Sequence, residues 1–175
     1  FRESSPNSPS MDIPIRLARA FPGAMVQAVE GAGAMVELAR QSLDSSDVGP
    51  RVMLVHSTIQ DLEPPPFPFN AAVSNSLLHQ LRNGGDLWET IRRTCAAGTA
   101  VYIQDLQRPE SAERAAELVD QYAAQEPEQL RTDFYNSLLA AFTPEEVRKQ
   151  LEEVELEGLS VESVSDRHLL VAGTL

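Results

Sequence analysis

Ala24-Met25-Val26-Gln27-Ala28-Val29-Glu30-Gly31-Ala32-Gly33 begins as an apolar run, meets an acid, and then turns on two glycines. Ala24 to Val29 reads as a short strand ending at Glu30. Gly31-Ala32-Gly33 leads into a helix whose apolar side is expected to carry Met35, Val36, Leu38 and Ala39. Strand, turn and helix in that order form the repeating unit of an α/β protein with parallel strands.

The same alternation extends both ways. Upstream, a helix is expected from Asp12, read as its cap, to about Phe21, with Ile13, Leu17 and Ala20 on one side. Pro14 falls in its first turn, where a missing N–H costs little, and Pro22-Gly23 ends it. Downstream, Val52-Met53-Leu54-Val55 is a nearly continuous apolar run, the kind found in strands covered on both faces. The proline-rich segment Glu63 to Pro68 excludes regular structure. Ala71 to Ser74 reads as a third strand, and Ser76 to about Leu81 as one or two helical turns. A helix from Asp86 to about Cys95 follows, with Leu87, Trp88 and Ile91 apolar. Gly98 is expected to end that region before a fourth strand, Ala100 to Ile103.

Two further helices are expected, from about Ser111 to Gln125 and from about Thr143 to Glu153. Thr143-Pro144-Glu145-Glu146 is a strong start signal: a capping hydroxyl, proline first, and glutamate three residues on. Leu159–Val164 and His168–Ala172, joined by Ser165-Asp166-Arg167, read as an antiparallel pair. No internal repeat is found.

Bulk properties narrow the function. The chain of 175 residues suits a single domain, 1–175. Its formal net charge of −12 disfavours nucleic acid and anionic membrane surfaces as partners. The lone Cys95 excludes an intrachain disulfide and is expected to be a buried small hydrophobe. No apolar run approaches a membrane span and no signal-peptide core opens the chain, so a cytoplasmic protein is expected. His56, His79 and His168 lie far apart and no Cys/His spacing suits zinc, so no metal site is expected. A phosphate loop of the Gly-x-x-x-x-Gly-Lys type and a Gly-x-Ser-x-Gly elbow are both absent.

Several local patterns line up in order. Glu30 ends one strand, and the helix after it carries Met35 and Ala39-Arg40. The polar turn Ser57-Thr58-Ile59-Gln60-Asp61-Leu62 follows the next strand. Then come Phe69-Asn70-Ala71-Ala72-Val73-Ser74-Asn75-Ser76-Leu77-Leu78-His79 and Gly98-Thr99-Ala100-Val101-Tyr102-Ile103-Gln104-Asp105-Leu106. The ordered set resembles the class I, Rossmann-like S-adenosylmethionine-dependent methyltransferases over roughly residues 12 to 175. Asn70 replaces the usual aspartate, and the turn before the fourth strand lacks the usual proline and second glycine.

The resemblance implies an α/β fold. Its mostly parallel central sheet would carry helices on both faces and end in an antiparallel strand pair. It implies S-adenosyl-L-methionine as cofactor and methyl transfer to a small-molecule acceptor; a homodimer is left open as the assembly. Glu30 would accept the ribose hydroxyls, Gly31 and Met35 would flank the cofactor, and Thr58, Ile59, Gln60 and Asp61 would hold the adenine. Ser74 and Asn75 would face the cofactor at a strand tip. His79 and Asp105 are the candidate bases, since the imidazole titrates near neutrality. Arg108, Tyr135 and Asn136 are the candidate acceptor contacts, the last two between helices of a lid insertion at 111–142.

Other readings stay open at these positions. Glu30 could simply end a strand, His79 could pack on a helix flank, and Asp105 and Arg108 could pair with each other. His168 is expected to be structural, and Arg92-Arg93 a solvated helix face. The family's glycine-rich first turn has no counterpart in Ser5-Pro6-Asn7-Ser8-Pro9-Ser10-Met11, and Phe1-Arg2-Glu3-Ser4 is too short and polar for a central strand. Either native residues precede this stretch, the favoured reading, or the loop has degenerated, with Asn7, Ser8 and Ser10 lining its edge. The second function class is therefore a catalytically inactive binding or scaffold protein of the same fold. A third is a nicotinamide-dependent oxidoreductase, disfavoured by the missing dinucleotide fingerprint.

Overall fold

Met11, Ile15 and Ala18 recur at helical spacing, and this stripe, with Met11 just ahead of helix α1 (Asp12–Ala20), packs α1 into its core. The structure, a computed structural model, describes residues 11–175, so Ser5 to Ser10 and the expected loop edge lie outside the described residues. The chain forms two compact units, Phe1–Leu62 and Glu63–Leu175.

In the first unit α1 is followed by β1 (Val26–Glu30), α2 (Gly33–Asp44), a 3-10 turn (Gly49–Arg51) and β2 (Val52–His56). β1 and β2 are parallel and in register, Val26 opposite Val52 through Glu30 opposite His56. Alternate side chains share a face. Val26, Ala28, Val52 and Leu54 therefore share one cluster with Met11, Ile15 and Ala18 and with Ala39 and Leu43 of α2, and Val48 belongs to it too.

Three sequence expectations change here. Asp12 does not cap α1; it lies in the first turn and binds Arg16 at 2.9 Å, one turn on. Ile13 and Ala20 are exposed, because the Met11–Ile15–Ala18 stripe takes the core. Leu38 is exposed too, since Val36, Ala39 and Leu43 already fill the inner side of α2. Met53, on the face of β2 away from the helices, is also exposed.

The second unit contains β3 (Phe69–Asn75), a 3-10 turn (Leu78–Gln80), α3 (Gly85–Thr94), β4 (Cys95–Leu106), α4 (Ala112–Tyr122), α5 (Glu128–Ala140), α6 (Pro144–Glu153), β5 (Leu159–Ser163) and β6 (His168–Thr174). Its sheet runs β3-β4-β6-β5, with β3 and β4 parallel and β6 antiparallel to both of its neighbours. Val101, Ile103 and Asp105 of β4 alternate inward and are buried, as are Leu169 and Val171 of β6 and Val161 of β5. Trp88 on α3 is fully buried and donates its indole N–H to Gln150 on α6 at 2.9 Å.

Strand β4 is longer than expected. It begins at Cys95, and Gly98, read as a stop, lies inside it at φ +82°. The strand bulges there: Phe69 pairs with Cys95 but Ala71 already pairs with Ala100. Gly98 donates to the Leu175 carbonyl at 2.7 Å, so the bulge carries the ladder on to the end of the chain. Cys95 is half-buried rather than buried.

Helix α5 lies inside the helical lid insertion expected at 111–142, but the sequence reading delimits no separate helix between Gln125 and Thr143. Thr132, Asp133, Phe134, Tyr135 and Asn136 are all weak helix formers. Leu130, Phe134 and Leu138 nevertheless keep one-turn spacing, and Leu138 is fully buried against Ala115, Leu118 and Val119 of α4. The start of α6 follows the sequence in detail: Thr143 accepts from the Glu146 N–H at 3.2 Å and Glu146 accepts from the Thr143 N–H at 2.9 Å.

Candidate functional site

In parallel α/β sheets ligands gather at the carboxyl ends of strands, because the following turns and helix N-termini present N–H groups there. The first unit offers two such tips. Glu30 closes β1, half-buried, and one oxygen of its carboxylate accepts the Ala32 N–H at 2.8 Å, ahead of α2. The other oxygen keeps its acceptor capacity. Gly31 leaves the approach open: a Cβ there would come no nearer to a neighbour than the Ser57 carbonyl, at 3.7 Å. Met35 is half-buried on the first turns of α2.

The second tip follows β2, where the Ser57 N–H donates to the Glu30 carbonyl at 3.1 Å. Thr58 then donates its hydroxyl to Asp61 at 2.7 Å and accepts the Asp61 N–H at 3.2 Å, closing a tight polar turn around Ile59 and Gln60. The ladder places Glu30 opposite His56, so both tips stand side by side. Glu30, Gly31, Thr58 and Asp61 are thus brought together.

In the second unit the candidates gather around the end of β3. Asn75 is half-buried and donates from its amide to the Ser76 hydroxyl at 3.2 Å. Ser76 sits at φ +57°, the left-handed region that non-glycine residues adopt at a cost of ~1 kcal/mol or more. Its N–H donates to Gln104 O at 3.1 Å, which fixes the turn to β4. Ser74 precedes it, half-buried on β3.

Beneath this turn lies Asp105, buried in β4. Its Oδ2 accepts from the Leu77 and Leu78 N–H groups, each at 2.7 Å. Its Oδ1 accepts from Leu106 N–H at 2.8 Å and His79 N–H at 3.3 Å, and faces His79 Nδ1 at 2.6 Å. Asp105 and His79 thus pair with each other, 26 residues apart in sequence. Arg108 does not join them: its guanidinium binds Glu146 and its backbone N–H donates to the Phe142 carbonyl at 3.1 Å. Burial opposes ionisation of Glu146, yet the Thr143 N–H and the Arg108 guanidinium outweigh it and hold the carboxyl below its ordinary range.

Tyr135 and Asn136 do not fall between helices. Both lie in the middle of α5, which packs against the Leu78–Gln80 turn. Tyr135 lines an open cleft of about 440 Å³ between α4 and α5, with Ala116, Val119, Asp120, Arg131 and Thr132. Asn136 is exposed and is not among the residues lining it. His168 opens β6 with its Nδ1 3.0 Å from the Ser165 hydroxyl in the β5–β6 turn. Among the described residues no group of three or more His, Cys, Asp or Glu is placed to hold a metal ion, and no helix is long and apolar enough to cross a membrane.

Sequence reasoning missed the left-handed Ser76 and the pairing of Glu146 with Arg108. A serine before Leu-Leu-His carries no mark of a left-handed backbone, and the capping box that placed Glu146 at a helix start gives no sign of a partner 38 residues away.

No protein-family model and no curated protein sequence matches the chain. Solved structures do. The plantazolicin methyltransferase BpumL, solved with a triazolic desmethyl-plantazolicin analogue and S-adenosylhomocysteine, superposes at a TM-score of 0.73 and 9% identity, covering 95% of this chain and 74% of its own. A proposed O-methyltransferase of Nostoc punctiforme gives 0.68 and 15%, over 95% and 50% of the two chains. PigF with S-adenosylhomocysteine gives 0.67 and 16%, over 96% and 49%. The chain therefore has the class I methyltransferase fold, and it spans about half the length of the last two proteins.

Proposed function

We propose that this chain carries out S-adenosylmethionine-dependent methyl transfer to a small organic acceptor. The observation that supports it best is the pairing of strand tips in the first unit: the Glu30 carboxylate at one, the Thr58–Asp61 turn at the other. A carboxylate with a free oxygen suits the two vicinal hydroxyls of a ribose, which can both donate to it. The polar turn with Ile59 and Gln60 suits the edge and face of an adenine. Gly31 keeps the backbone low enough for a ligand to pass, and Met35 offers it an apolar wall. These residues fit the cofactor that the fold family uses.

When bound, the cofactor supplies a methyl group on a sulfonium, which is already a good leaving group. The protein is left with alignment and the exclusion of water. His79 is the residue we assign to accept a proton where the acceptor must lose one; its Nδ1 is committed to Asp105 and Nε2 is the remaining basic position. Tyr135 and the cleft beside it are assigned to the acceptor. Ser74 and Asn75 are assigned to the rim of the β3 tip.

The test is transfer of label from methyl-labelled S-adenosylmethionine to a panel of phenols, amines and azole-containing peptides. Label in any acceptor, inhibited by S-adenosylhomocysteine, supports the reading. Binding of S-adenosylhomocysteine without transfer to any of them favours the scaffold alternative.

A further inference from the structure

We infer that the cleft between α4 and α5 takes a flat, apolar-bodied acceptor through an uncharged carbonyl oxygen and turns away the matching carboxylate. The inference deepens the methyl-transfer reading and rests on it for calling the ligand the methyl acceptor.

Three observations carry it. First, the cleft has the volume and walls of a small-molecule site. Its volume of about 440 Å³ falls within the range such sites occupy, roughly 300–1,000 Å³. Ala116 and Val119 of α4 bring methyl groups to it, and Thr132 and Tyr135 come from α5. Thr132 and Tyr135 are three residues apart and so share a helix face. An aromatic ring facing aliphatic side chains favours a flat apolar body.

Second, one donor in this wall has no partner. Arg131 reaches from α5 to Asp120 on α4, its Nη2 2.6 Å from the carboxylate. Its Nε is buried and makes no hydrogen bond. Buried N–H groups are almost always met, by protein, water or ligand. Nε and Nη2 form one edge of the guanidinium, which two oxygens can engage side by side. Asp120 fills half of that edge, and a ligand oxygen fills the other half.

Third, the charge around the cleft decides which oxygen. Asp120, Glu126 and Glu128 line it against the guanidinium of Arg131, which Asp120 already neutralises. Glu126 and Glu128 are exposed, and Glu128 stands in the first turn of α5. A carboxylate ligand would pass two like charges to reach a cation that is already paired. A ketone or amide oxygen accepts the same N–H and carries no charge to repel. The cleft thus selects by what it repels as well as by what it binds.

The test compares 4-hydroxybenzamide with 4-hydroxybenzoate, which share a ring and a hydroxyl and differ in charge at the far end. Each is titrated into the full chain while the methyl resonances of Ala116, Val119 and Thr132 are followed by NMR. The benzamide should shift all three and bind about tenfold more tightly than the benzoate. Replacing both exposed acids, Glu126→Gln with Glu128→Gln, should strengthen benzoate binding about threefold. Arg131→Lys keeps a charge for Asp120 but lacks the Nε N–H, and should weaken benzamide binding about fivefold. Benzoate bound as tightly as benzamide in wild type overturns the proposal, and no variant is needed to see it. Cleft methyls that neither compound shifts overturn it as well. The same holds for a folded Arg131→Lys that binds the benzamide as wild type does, or a double variant that binds the benzoate no better. The reaction is read separately: a chain that binds no S-adenosylhomocysteine fails as a methyltransferase, while the methyl shifts still decide what the cleft takes.

Discussion

Asp105 Oδ1 and His79 Nδ1 stand 2.6 Å apart, both largely withdrawn from solvent, where the fourth strand passes under the turn after the third. Asp105 also accepts the N–H groups of Leu77, Leu78, His79 and Leu106. Removing the carboxylate leaves buried N–H donors without partners, a loss that costs ~1–3 kcal/mol for each group. Asp105→Ala should therefore destabilise the second unit by about 3–5 kcal/mol, far more than a surface change. Urea unfolding followed by the fluorescence of Trp88, the chain's sole tryptophan, measures this. A loss below about 1 kcal/mol would contradict the account of the network.

Glu146 binds the Thr143 N–H and Arg108 in its ionised form, and its carboxyl is held below the ordinary range against the effect of burial. A depressed folded-state value means stability that is present above the unfolded carboxyl range, near pH 4.3, and lost as pH falls through the folded value. Acid unfolding should thus have a component that Glu146→Gln removes. Stability measured from pH 6 down to pH 3 should fall less steeply in the variant, and parallel curves would refute the pairing.

Burial pushes the Cys95 thiol above its ordinary range, only partly offset by the Thr94 hydroxyl. The thiolate fraction near pH 8 is therefore small. Reaction with a disulfide reagent in native protein should run at least tenfold slower than in protein unfolded by urea. Equal rates would show Cys95 to be open to solvent.

Gly173 occupies φ +154°, and a Cβ there would lie 2.1 Å from the Gly158 carbonyl oxygen across the β5–β6 ladder. Both atoms in conflict are rigid, one of them backbone. Gly173→Ala should cost about 2 kcal/mol or more. Thermal unfolding that shifts by less than a degree would show that the ladder can open at that point.

These elements differ in how far the sequence disclosed them. β1, its acid, the turn and α2 were legible because hydrophobic period changes from two to 3.6 exactly where glycines allow the chain to turn. The Thr143 box was legible because a cap is a local chemical device. The inner face of α1 was misread: Asp12–Ala20 has apolar residues on more than one side, and only the position of Met11 decides which side is buried. α5 escaped because five weak helix formers in a row hide a sound Leu130–Phe134–Leu138 stripe. At the site, His79 and Asp105 were both visible as candidates, but their meeting was not. It depends on the parallel register of β3 and β4, which puts Asn75 beside Gln104 and so brings the following turn over Asp105. Long-range register leaves no trace in either segment alone.

The central claim is that Glu30 holds the sugar of the cofactor, and calorimetric titration of the intact protein with S-adenosylhomocysteine tests it most directly. Glu30→Gln keeps an oxygen for the Ala32 N–H and should leave the fold unchanged. Saturable binding by wild type, weakened tenfold or more in Glu30→Gln, is the predicted result, on the order of the 1.4 kcal/mol expected from one charge-assisted bond. Wild-type binding of equal strength in the variant would contradict the role given to Glu30, and no binding by wild type would contradict the proposed reaction itself.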